Sequence, residues 1–209
     1  PYVEEGRNIV CFSISNSMSS SGNVMQLAAE ELNAQDLITV IDSANLSTGI
    51  GLLVIEAAIL AQNNKTAAEI SVAVENLKPY VRASFVVDTL TYLHRGGRCS
   101  AIAAMAGGLL KLHPQIIVEH GAMKPTIKYR GKMDSVILSY VKDMEPALKH
   151  ARPDRVFITH SGCEPTIINA VRSYLEGLGI FREILETRAG GVISSHCGPG
   201  TLGVLFIES

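Results

Sequence analysis

Apolar positions along this chain fall into two kinds of run. Short apolar runs of strand length alternate with longer stretches whose apolar residues recur at helical spacing. Strands are predicted at residues 8–14, 37–42, 83–88, 115–119, 126–129, 155–160, 181–187 and 202–207. Helices are predicted at residues 22–32, 47–62, 66–77, 101–110, 134–150, 164–178 and 191–196. The alternation predicts an α/β fold with largely parallel strands. Residues 115–129 depart from it, because two short strands around residues 119–124 read as a hairpin. A boundary is expected near residues 79–83, giving one domain over 1–82 and a second over 83–209. No internal repeat or low-complexity segment interrupts the pattern.

Composition narrows the classes of function. With 209 residues and 47% apolar content, the chain can build a proper core. A net charge of −2, no Trp and few aromatic residues argue against a nucleic-acid partner. The most apolar stretch, residues 49–61, contains Glu56 and is shorter than the roughly 18–20 residues of a membrane span. It reads as a buried helix, so no stable membrane insertion is expected. No secretory signal is read at the start. Cys11, Cys99, Cys163 and Cys197 form no CxxC pair and read as free thiols of a reducing cytoplasm. His160 and Cys163 resemble half of a metal site, but no second pair completes it, so no metal or cofactor is expected.

Candidate chemistry gathers in three segments. Ser194-Ser195-His196-Cys197-Gly198-Pro199-Gly200 places a histidine at a helix end, before residues that constrain or release the backbone. Such a frame holds an imidazole in one place, although a purely structural His in a glycine-rich turn has the same pattern. Residues 13–21 form a serine-rich loop that follows a strand and opens a helix. Ligands bind at the carboxyl ends of strands in open α/β sheets, and a helix N-terminus suits an anion. The same serines also serve as N-caps. Gly96-Gly97-Arg98 lets the backbone pass close to a neighbour, and the guanidinium offers a carboxylate two donors. A solvated surface arginine is the plain alternative. The small residues of 101–110 leave volume for a ligand or permit close helix packing.

Taken together, Asp88-Thr89-Leu90 with Tyr92-Leu93 and Gly96-Gly97-Arg98, then Ser195-His196 with Gly198-Pro199-Gly200, resemble the DegV family of bacterial fatty-acid-binding proteins. Ile14-Ser15-Asn16-Ser17-Met18-Ser19, Val40-Ile41-Asp42-Ser43 with Ser47 and Gly51, and Leu112 to Pro114 with Gly121 extend the resemblance over almost the whole chain. It implies two α/β domains, the first with a parallel sheet, and a ligand between them. It also implies a further N-terminal segment before residue 8, with a Thr-Ser loop for the ligand carboxylate. The first domain is therefore expected to be truncated here, and that portion to come from another chain or from residues not in this sequence.

Carried over by position, Ser19, Arg98 and His196 bind the fatty-acid carboxylate, with Ser21, Cys197 and Gly198 as further candidate contacts. The chain departs from the family pattern at Ser20, where glycine is usual, at Gly22, where tyrosine is common, and at Cys197, often threonine. Asp42, Ser43 and residues 47–51 border the ligand tunnel in the family. The resemblance implies a long-chain fatty acid as ligand and a separate fatty-acid kinase as partner. The kinase converts the presented carboxylate to an acyl phosphate for phospholipid synthesis. The chain itself has no GxxxxGK[ST] loop and no kinase signature, so no catalysis is expected of it. Two other readings are a hydrolase using Ser19, His196 and Asp42, which lacks a GxSxG elbow, and an interaction subunit without ligand.

Overall fold

Strands β1 (Ile9–Ser13) and β2 (Ile38–Asp42) pair in parallel, from Ile9 opposite Ile38 to Ser13 opposite Asp42. Helix α1 (Ser21–Glu31) joins them, since a parallel pair needs a crossover. Two further helices, α2 (Thr48–Gln62) and α3 (Ala67–Leu77), pack on each other and on β1. Leu52 and Leu53 of α2 and Val74 of α3 are wholly buried. Helix α3 starts at a capping box, in which Thr66 Oγ1 accepts from the Glu69 N–H while the Glu69 carboxylate accepts from the Thr66 N–H. In this computed structural model, which describes residues 1–97 and 112–209, these elements form one compact unit, Pro1–Pro79 with His120–Ala122.

The second unit, Tyr80–Glu119 with Met123–Ser209, is built on a six-stranded sheet. Its strands are β3 (Val81–Val86), β4 (Leu112–Glu119), β5 (Ala122–Arg130), β6 (Ala151–His160), β7 (Glu183–Arg188) and β8 (Leu202–Glu208). Their order is β5-β4-β3-β8-β6-β7. Strand β8 runs antiparallel to both neighbours, β3 is antiparallel to β4, and β6 pairs with β7 in parallel. The expectation of largely parallel strands is therefore corrected in this unit. Residues Leu202 to Ile207 are all buried, so β8 reads as an unbroken apolar run. A parallel strand between two helical layers gives the same run, and periodicity does not separate the two.

Helices α5 (Met133–Asp143), α6 (Glu145–Leu148) and α7 (Pro165–Gly177) supply the apolar layer over one sheet face. Val136, Ile137, Tyr140, Val141, Leu148, Ile168, Val171 and Leu175 pack there with Val86, Val156, Ile158, Leu202, Val204 and Phe206. Within this layer the Tyr140 hydroxyl is wholly buried and fully used. It donates to the Ser84 carbonyl at 2.8 Å, accepts from the Val204 N–H at 3.0 Å and lies 2.8 Å from Ser84 Oγ. One α5 side chain thereby ties the β3–β8 pair to the helical layer. Burial pushes its phenol well above the ordinary tyrosine range, so it stays a neutral donor.

Several sequence boundaries move. The predicted 134–150 helix is interrupted at Met144, because Pro146 has no N–H for the helical ladder. The hairpin turn is only His120–Gly121, with φ of 49° and 77°, so β5 begins at Ala122. A short helix, α4 (Thr91–Gly96), appears where none is predicted, since six residues are too few to show a period. Helix α8 (Gly191–Cys197) closes the set close to its predicted place. The predicted helix 101–110 lies outside the described residues. Tyr140→Phe is expected to lower unfolding stability by about 1–3 kcal/mol, because a buried N–H loses its acceptor. Urea titration measures the loss, and faster hydrogen exchange at the Val204 amide locates it; Ser84→Ala, which keeps the carbonyl contact, should cost less.

Candidate functional site

In the first unit the serine loop runs from the end of β1 into α1. Ser15 organises it: its N–H donates to the Asn45 carbonyl, and its carbonyl accepts from the Met18 and Ser19 N–H groups. Its hydroxyl donates to the Gly121 carbonyl at 2.6 Å and accepts from the Ser17 N–H at 3.3 Å. Gly121 has φ 77°, and a methyl group there would stand 2.7 Å from Ser15 Oγ, so glycine is required twice over. Ser19 Oγ accepts from the Ser21 N–H at 3.2 Å and lies 2.8 Å from Ser21 Oγ. These two candidates are thus brought together beside the first turn of α1. The helix cap itself falls on Ser20, whose side chain makes no capping bond.

Two neighbours of this loop have defined duties. Asp42 Oδ1 accepts from the Ala44 N–H at 2.9 Å and the Asn16 N–H at 3.3 Å, which commits this oxygen to the loop backbone. Ser13 Oγ is buried and has no hydrogen-bond partner among the described residues. A methyl group at Gly22 would stand 2.8 Å from it and 2.6 Å from Asn16 Oδ1. A side chain at this position would therefore require Asn16 and Ser13 to move from where the loop now holds them.

In the second unit, His196 lies in the last turn of α8 and Gly198 follows at φ 83°. The loop is tied down at nearly every residue. The Gly198 N–H donates to the Ser194 carbonyl at 2.8 Å, and the Gly198 carbonyl accepts from Ser161 Oγ. The Gly200 N–H donates to the Ser161 carbonyl, the Ser161 N–H to the Thr201 carbonyl, and Thr201 Oγ1 to the Cys197 carbonyl, all at 2.9 Å. Burial pushes the Cys197 thiol up to about 12, so it stands beside His196 as a neutral group. His196 itself is half-buried and rests against α4: a methyl at Gly96 would lie 2.9 Å from its Cε1 and closer still to Nδ1. Gly97, at φ 64°, caps α4 with its N–H on the His94 carbonyl and leads the chain towards Arg98.

Arg98, Cys99 and the small-residue run 101–110 lie outside the described residues. His160 and Cys163 are close, but the Cys163 N–H donates to His160 Nδ1 at 3.2 Å. Among the described residues no three His, Cys, Asp or Glu side chains are grouped to hold a metal. Nor is any described helix long and apolar enough to cross a membrane. Ser161, Tyr92 and the Gly121 turn were not singled out in sequence for their roles here. Ser161 follows a strand without any motif of its own, and its partners lie far along the chain.

The chain as a whole is similar to known proteins. The family model described as "Uncharacterised protein, DegV family" matches residues 1–209. A DegV domain-containing protein of Clostridium perfringens is 32% identical over 210 residues, covering 99% of this chain and 72% of the relative. A DegV family protein from Thermus thermophilus, solved as a fatty-acid-binding protein, superposes with a TM-score of 0.88 at 27% identity. That match covers 99% of this chain and 73% of the other. DegV from Bacillus subtilis, described as a fatty acid binding protein, gives 0.79 at 27% identity, again over 99% and 73%. A family model that matches every residue, together with the 32% identical relative, leads to one assignment: this chain belongs to the DegV family.

Proposed function

We propose that this chain binds a long-chain fatty acid, with Ser19, Arg98 and His196 holding the carboxylate, and presents it to a separate fatty-acid kinase. Ser21, Cys197 and Gly198 supply further contacts. The observation that carries the reading is the likeness, over 99% of this chain, to fatty-acid-binding DegV proteins at 27% identity. Energetics support it: about 14–16 methylenes at roughly 0.8 kcal/mol each give on the order of 10 kcal/mol before ordering costs. The polar groups then select the head rather than supply most of the affinity.

A binding role also suits the chemistry of each loop. The Ser19 and Ser21 hydroxyls sit where α1 begins, among donors suited to a carboxylate. His196 rests against Gly96, and an imidazole can donate a hydrogen bond to a carboxylate. A hydrolase would need a carboxylate to orient its histidine, whereas one Asp42 carboxylate oxygen is engaged by two backbone N–H groups. The 209 residues contain neither a GxxxxGK[ST] loop nor a kinase signature, which supports leaving phosphoryl transfer to the partner. The kinase brings ATP and the phosphoryl-transfer groups, and the acyl phosphate it forms enters phospholipid synthesis. Cytoplasmic placement follows from that partnership.

Solvent extraction of the purified protein followed by mass spectrometry is expected to find a long-chain fatty acid. A well-folded preparation that holds none and takes up none would overturn the proposal. Arg98→Ala and His196→Ala should each weaken fatty-acid affinity by about tenfold to a hundredfold, the cost of one charge-assisted hydrogen bond. Thermal melts would show the fold kept, and wild-type affinity in both variants would remove these residues from the site. Lipid-loaded protein with ATP and Mg²⁺ should yield hydroxylamine-trapped acyl product only when a fatty-acid kinase is added. Product without the kinase would make the chain an enzyme; none with it would leave a lipid carrier of another kind.

A further inference from the structure

We infer that Tyr92 is a positioning residue for His196, acting through a reciprocal pair of glycine seats between α4 and the α8–β8 turn. The first seat is Gly96, which His196 overlies. The second is Gly198: a methyl there would stand 2.7 Å from Tyr92 Cε2 and 3.0 Å from its Cγ, so the Tyr92 ring lies directly on the bare backbone. Tyr92 and Gly96 are four residues apart on α4, one turn above each other on the same face. His196 and Gly198 flank the end of α8. Each segment therefore contributes one ring and one glycine, and each ring is received by the other segment's glycine. Helices α4 and α8 pack together along this contact.

The two seats are not equivalent. Gly198 is immobilised from its own side, by Ser194 at its N–H and Ser161 at its carbonyl. Tyr92 pressed on that fixed backbone sets where α4 lies, and α4 in turn sets where Gly96 meets the imidazole. With the Tyr92 ring removed, nothing fills the space over Gly198, α4 is released to shift, and His196 gains rotamers. The same shift moves Gly97, the residue before Arg98. The inference rests on the proposed role of His196 as a carboxylate contact, while the two glycine seats stand independently of that role.

The test compares Tyr92→Phe with Tyr92→Ala in the full chain, by palmitate titration and by NMR of the His196 imidazole without ligand. His196→Ala identifies the resonance. Tyr92→Ala should weaken palmitate binding by about tenfold or more, the loss of a well-placed hydrogen bond, and shift the imidazole signals. Tyr92→Phe keeps the ring and should restore both. If Tyr92→Ala does not fold, Tyr92→Leu replaces it, since it also removes the ring from Gly198 while keeping apolar bulk, and must reproduce the loss. Unchanged affinity with unchanged His196 signals in the folded variant would overturn the inference. Wild-type protein that takes up no palmitate would instead overturn the fatty-acid reading, and the ligand-free imidazole comparison would still decide the role of Tyr92.

Discussion

Strand β8 needs cover on both faces, and most of the second unit answers that need. Its residues from Leu202 to Ile207 are buried without exception. Each fully buried Val, Leu, Ile or Phe side chain contributes about 1.5–3 kcal/mol relative to exposure. Such a strand is stable only at the centre of a sheet, with β3 and β6 along its edges. Gly203 shows how tight the fit is, since a methyl there would stand 2.7 Å from the Ser84 carbonyl oxygen. The functional consequence is direct. The loop from His196 to Thr201 enters this strand, so the most constrained part of the sheet also fixes the candidate histidine.

Polar groups near the two loops divide into those spent on the backbone and those that the proposed function assigns to a ligand. Asp42, Ser15, Ser161 and Thr201 each serve backbone N–H or carbonyl groups that the irregular chain would otherwise leave unpaired. The Ser19 and Ser21 hydroxyls meet each other, and His196 rests against Gly96. This division suits binding. A carboxylate needs donors already in place, and ordering them on arrival would cost affinity.

Glycine is the other recurring device. Gly22, Gly96, Gly121 and Gly198 are each overlain by a side chain or loop atom that a methyl group would strike. At Gly121 and Gly198 the left-handed backbone adds a second reason. The pattern links chain segments that are remote in sequence. Ser15 and Gly121 are 106 residues apart, and the pairing of Gly96 with His196 spans a similar separation.

The sequence by itself determined the α/β class, most strands and helices, the hairpin, the serine loop at the head of α1 and the histidine at the end of α8. Each rests on local information: apolar period, turn residues, or a motif read within a dozen positions. The motifs at residues 88–98 and 195–200 also carried the family. Only the tertiary structure decided that β8 runs antiparallel to its neighbours, because burial on both faces leaves the same apolar run in either direction. The break of the predicted 134–150 helix at Met144, by contrast, was legible in the sequence at Pro146, which has no N–H for the helical ladder. The seats of His196 on Gly96 and of Tyr92 on Gly198 were invisible in sequence. A glycine kept free of a side chain looks the same as one kept for a turn until the chain folds and brings its neighbour onto it.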